Sequence, residues 1–172
     1  MGKEKQKAKN IAVGTRGDTD SPYQLSLTSP ISYGSFSVGA NINQYCGLLA
    51  PDPFGKALDC DSYMVRNIDY YVILWCSEAN RVETIVLQDH CYYQGIDLIG
   101  ASIFLFMSLI SIEPEKVEIE WTPGINSEKK NGENQHVYYF PMKGGESLMV
   151  WTWRKKIRTI MLCSDKRSNR ED

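Results

Sequence analysis

What the chain lacks narrows its reading first. It has no CxxC pair and only two histidines, His90 and His136. A structural zinc site draws on two close ligand pairs, so no metal is expected, nor any other cofactor. The net charge of −2 is far from the basic surplus of a nucleic-acid binder. Basic residues do gather at 3–9, 154–158 and 166–170, which reads as solvated ends and one charged strand. No apolar run is long enough to cross a bilayer: the stretch 98–112 is closed by Asp97 and Glu113 after 15 residues. The opening MGKEKQKAK has no apolar stretch of the kind a secretory signal needs. Either Met1 stands in place of a removed leader on a secreted chain, or the chain is cytosolic. No internal repeat is visible.

What is there is an ordinary globular composition, 42% hydrophobic and 23% charged over 172 residues, enough for one domain with a buried core. The boundaries expected are a loose arm at 1–21, one folded domain at 22–162 and a charged tail at 163–172. Short alternating segments follow the arm, with Tyr23, Leu25 and Leu27, then Tyr33, Phe36 and Val38, each closed by Gly or Pro. The stretch 41–67 reads as a long structured loop. Residues 69–76 (DYYVILWC) and 81–88 (RVETIVLQ) form the clearest strand pair, joined by SEAN. Near-continuous apolarity in the first of them predicts burial on both faces. Ile103, Phe104, Phe106, Met107 and Ile110 recur at helical spacing and predict a short helix over 101–110. Strands are expected at 116–121, 136–141 and 147–162, with a polar excursion at 122–135. The fold class expected is mostly β with a single embedded helix, which points to a barrel.

The five cysteines, Cys46, Cys60, Cys76, Cys91 and Cys163, fit two disulfides with one thiol left over, or five reduced thiols, mostly buried. Oxidised cysteines go with an extracellular protein and reduced ones with a cytoplasmic protein.

Residues 88–104, QDHCYYQGIDLIGASIF, carry the most information. Asp89, Cys91, Gly95, Asp97, Leu98 and Phe104 fall, in order and spacing, as they do in the barwin and expansin proteins and the rare-lipoprotein-A-like proteins. Tyr45-Cys46-Gly47 followed by Pro51 resembles that family's aromatic-Cys-Gly loop, and KVEIEW resembles its closing strand. The resemblance spans roughly Tyr33 to Trp121; the family's Cys-Gly-Lys-Cys segment is absent, and nothing after Trp121 has a counterpart. It implies a six-stranded double-psi β-barrel with one or two short helices, to which residues after Trp121 add a C-terminal β-hairpin extension. It also implies a Cys46–Cys91 bridge, with Cys60 and Cys76 as a second, less supported pair.

The function implied is that of a secreted monomer that binds or loosens cell-wall polysaccharide (chitin, cellulose or peptidoglycan) without strong hydrolysis. Two alternatives stand beside it: an effector or inhibitor that uses the scaffold to bind a target protein, and a wall-lytic hydrolase or transglycosylase. Glycoside cleavage needs a protonated acid and a second carboxylate, for which Asp97 and Asp89 are the candidates. Asp97 is also placed to cap the following helix, and Asp89 to serve as a buried hydrogen-bonding anchor. His90, between Asp89 and Cys91, is either a proton partner or a polar strand-end residue. Tyr33, Tyr92, Tyr93 and Trp121 are candidates to stack on sugar rings with His90 beside them, or else simply to cover the end of the fold. Trp151 and Trp153 share one strand face and either form a second platform or pack under a loop.

Overall fold

The computed structural model describes residues 23–52, 61–68, 70–122 and 133–164. The expected arm at 1–21, the end of the tail and most of the polar excursion lie outside the described residues. Among the described residues thirteen strands and one α-helix follow in order, with a 3-10 turn at Ile42–Leu48. The strands are β1 (Leu25–Ser26), β2 (Ser32–Tyr33), β3 (Phe36–Ser37), β4 (Leu49–Pro51), β5 (Asp61–Val65), β6 (Val72–Cys76), β7 (Val82–Leu87), β8 (Tyr92–Tyr93) and β9 (Ile96–Asp97). The helix α1 (Ile103–Ile110) comes next, then β10 (Lys116–Thr122), β11 (Glu133–Pro141), β12 (Ser147–Trp153) and β13 (Lys156–Cys163).

The mostly-β class is what forms. Eight strands make one sheet in the order β10-β11-β12-β13-β7-β6-β5-β4, beside a small β1-β2-β3 sheet and the separate β8-β9 hairpin. Every pairing in the large sheet is antiparallel. This differs from the six-stranded double-psi barrel. Among the described residues β10 and β4 each pair on one side only, so the sheet is not closed by hydrogen bonds. The C-terminal hairpin is no extension either. β13 pairs with β7 through Ile160↔Leu87 and Leu162↔Ile85, which puts residues 133–163 in the middle and flank of the main sheet.

One sheet face carries the core. Leu74, Ile85, Leu87, Leu148, Val150, Ile160 and Leu162 share it and are fully buried. Removing a leucine-sized side chain from water contributes about 1.5–3 kcal/mol, so this row is a principal source of stability. The helix lies on the same face: Phe106 meets Phe140 edge to face, ring centroids 5.4 Å apart. α1 starts later than expected because Gly100 turns the chain at φ 81°, and Ser102 is the cap, accepting from the Phe104 amide. The expected 147–162 strand is folded back on itself at Arg154–Lys155, both at positive φ (49° and 64°), with Trp153↔Lys156 closing the hairpin. The long loop holds more order than expected: it contains the 3-10 turn and the antiparallel β4–β5 pair.

Candidate functional site

The β8–β9 hairpin turns through Gln94 and Gly95, with φ of 51° and 76°. A two-residue turn with both central residues at positive φ has the twist that suits a hairpin, and glycine reaches that conformation without strain. The turn brings Asp97 back beside the segment that leads into β8. One carboxylate oxygen, Oδ1, accepts the Cys91 amide at 3.0 Å and the Ile99 amide at 3.1 Å. The other, Oδ2, lies 2.6 Å from Nδ1 of His90. Asp97 therefore does not cap α1; it ties the two ends of the hairpin and fixes the imidazole. A neutral His90 held this way carries its hydrogen on Nδ1 and turns the lone pair of Nε2 away from Asp97.

Aromatic rings frame His90. Tyr92 lies nearly parallel to it, with centroids 5.8 Å apart and planes 13° apart. Tyr70 meets it edge-on at 5.2 Å. The Tyr70 hydroxyl in turn lies 3.1 Å from that of Tyr33. The His90 side chain keeps 45% of its surface open, against 29% for Asp97. A continuous chain of contacts thus runs from the core tyrosine to a half-exposed imidazole.

The candidates from the sequence divide. Asp97, His90, Tyr92 and Tyr93 sit on or beside the hairpin, Tyr93 opposite Ile96. Tyr33 does not face a groove: it is fully buried, and burial raises its hydroxyl far above the ordinary value, aided by the bond to Tyr70. Asp89 is exposed rather than buried, yet it is an anchor, since its Oδ2 accepts the Tyr71 amide at 3.0 Å. Trp121 is 63% exposed but stands on the edge strand β10, not on the hairpin. Trp153 offers no open platform, because the guanidinium groups of Arg154 and Arg158 lie 4.3 and 5.2 Å from its ring.

One member of the site was missed in sequence, Tyr70. It precedes β6, as does Tyr71, which is 53% exposed and, among the described residues, meets the site's neighbourhood only through its amide bond to Asp89. The signal was the doublet itself, an aromatic pair outside the β-branched run.

The implied Cys46–Cys91 bridge is not formed. Cys46 is an exposed free thiol on the 3-10 turn, bonded to the Asn43 carbonyl, whereas Cys91 is a free thiol buried without exposure. Burial, with Asp97 adding to it, pushes the Cys91 thiol well above its usual range. Cys76 is buried on β6, and its expected partner Cys60 lies outside the described residues. Among the described residues no group of three or more His, Cys, Asp or Glu could hold a metal ion. No helix among the described residues is long and apolar enough to cross a membrane. No protein-family model, curated protein or solved structure matches the chain.

Proposed function

We propose that the chain binds polysaccharide through its β8–β9 hairpin, with Tyr92 and His90 as the stacking surface. The observation that carries this reading is the near-parallel His90–Tyr92 pair, held in place by Asp97. Flat side chains of that kind pack against the apolar faces of pyranose rings. The half-exposed imidazole adds one oriented polar contact for a sugar hydroxyl.

Binding is favoured over cleavage. With three donors on its two oxygens, Asp97 is occupied as an acceptor, and Asp89 is engaged by the Tyr71 amide. Both carboxylates are committed to holding local backbone and the imidazole, whereas glycoside cleavage needs two carboxyl groups turned toward the scissile bond. The resemblance to barwin and expansin proteins supports a wall polysaccharide as the ligand class and secretion as the setting. The closed barrel that goes with that family is not part of the proposal, since the pairing order gives it no support.

The test is sedimentation with insoluble chitin, cellulose and peptidoglycan, followed by titration with soluble oligosaccharides of whichever polymer binds. Tyr92→Ala is expected to weaken binding by about tenfold or more, and Tyr92→Phe to retain it, since the stacking face is what counts. The proposal fails if none of the three polymers binds, or if Tyr92→Ala binds as well as the native chain.

A further inference from the structure

The second feature stands at the other end of the chain's chemistry, on β10. This strand pairs only with β11 among the described residues, so its outer row of backbone donors and acceptors has no strand beside it. Edge strands of this kind are templates for another extended segment, and proteins normally blunt them. β10 is not blunted on one face. Val117, Ile119 and Trp121 alternate along it at 48%, 65% and 63% exposure. Through Val117↔Tyr138 and Tyr138↔Val150 that row belongs to the core face, the face on which α1 packs. It is the core face continued past the edge of the core.

The opposite face of the strand is acidic. Glu118 and Glu120 point there, and Glu113 and Glu115 precede them. The one basic residue of the strand, Lys116, is engaged by Glu118 and lies against the Tyr139 ring. An incoming strand must match both rows at once, because successive side chains alternate between faces.

We propose that β10 is a docking edge for an extended basic polypeptide segment of a partner protein, added to the sheet as a ninth strand with apolar residues over Val117, Ile119 and Trp121 and Lys or Arg opposite Glu118 and Glu120. Main-chain bonds supply the attachment and the alternating side chains supply the choice of partner. A second copy of this chain is a poorer match. Antiparallel pairing of β10 with itself about Ile119 sets Glu118 against Glu120, and pairing about Glu118 sets that side chain against its own copy. Like charges directly opposite one another destabilise a sheet. The inference does not depend on the glycan reading, which uses a different element.

The test uses the full chain and two synthetic peptides, Lys-Val-Lys-Ile-Lys-Val-Lys and its counterpart with Glu in place of each Lys. The basic peptide is expected to bind and to slow amide exchange along 116–122, with little change elsewhere. The double variant Glu118→Lys/Glu120→Lys reverses the charge of this row and gives up the Lys116–Glu118 ion pair, so its fold is checked by circular dichroism first. It is expected to lose about tenfold in affinity for the basic peptide and to prefer the acidic one. The proposal is overturned if the basic peptide does not bind, if the double variant binds it unchanged, or if slowed exchange falls away from β10. It is also overturned if the chain alone sediments as a dimer that Ile119→Lys dissolves, for then a second copy covers the edge.

Discussion

Cys46 and Cys91 are the pair expected to be bridged, and their environments send their chemistry in opposite directions. Only the thiolate is a good nucleophile. Cys46 is exposed to solvent, while Cys91 is fully buried and its thiol is held in the neutral form by burial and by Asp97. Iodoacetamide applied to the folded chain near pH 8 is therefore expected to label Cys46 and to leave Cys91 untouched until denaturant is added. Peptide mapping by mass spectrometry reads the result directly. Labelling of native Cys91 at the rate of Cys46, or a linked peptide joining the two, would overturn this assignment. The same locality sets the role of Asp97. Asp97 and Ser102 are both capping residue types, and with Gly100 turning the chain between them at φ 81°, Asp97 serves the hairpin and Ser102 the helix. That choice depends on a backbone angle that residue identities do not display.

At the level of elements, legibility followed the strength of the local signal. The strand pair 69–76 and 81–88 appears as β6 and β7, shortened at its ends, and KVEIEW appears as β10, because alternation and β-branched residues state their own conformation. Helix α1 was legible from its spacing. The hairpin between β12 and β13 was not, since Arg154 and Lys155 hold positive φ without a glycine or asparagine to announce it. Tertiary contacts hold them there. The Lys155 carbonyl accepts the Ile103 amide, and the Lys155 ammonium lies 5.4 Å from the centre of the Phe104 ring. This makes position 155 a sharp test. Asparagine tolerates left-handed backbone, so Lys155→Asn is expected to change stability by less than about 1 kcal/mol. Lys155→Val puts a β-branched residue at φ 64° and is expected to cost about 2 kcal/mol. Urea unfolding separates the two, and equal tolerance of Val and Asn would mean that the turn is not left-handed at that residue. The candidate site was half legible for a related reason. Asp97, His90 and Tyr92 lie close in sequence, whereas Tyr70 reaches them only through the pairing of β6 with β7.

Across the whole molecule, one buried cluster joins the three sheets. Tyr33 and Phe36 come from the small sheet, Cys91 and Leu98 from the hairpin region, and Leu74, Leu87 and Ile160 from the large sheet. Two titratable groups sit inside that junction, Tyr33 and Cys91, and both are raised above their ordinary values of 10.0 and 9.0 chiefly by burial. Raised values mean that the folded chain keeps protons which the unfolded chain gives up. The stability from keeping them neutral is complete below about pH 9 and is lost as pH rises past the ordinary values. Each group then contributes a slope of about 1.4 kcal/mol per pH unit, Cys91 from about pH 9 and Tyr33 from about pH 10. A domain stable by about 5–15 kcal/mol can lose that margin within a few pH units, so the melting temperature is expected to hold to about pH 9 and fall steeply above pH 10. Tyr33→Phe removes one of the two groups. It gives up the hydroxyl contact to Tyr70 and costs about 1 kcal/mol at neutral pH, yet it should lower the slope above pH 10 by about a third to a half, the rest coming from Cys91 and from Tyr139, which is pushed up to about 12. Calorimetry of both chains from pH 7 to 11 checks this. A melting temperature that stays level through pH 11, or a slope unchanged in Tyr33→Phe, would mean that the junction of the three sheets does not depend on these protons.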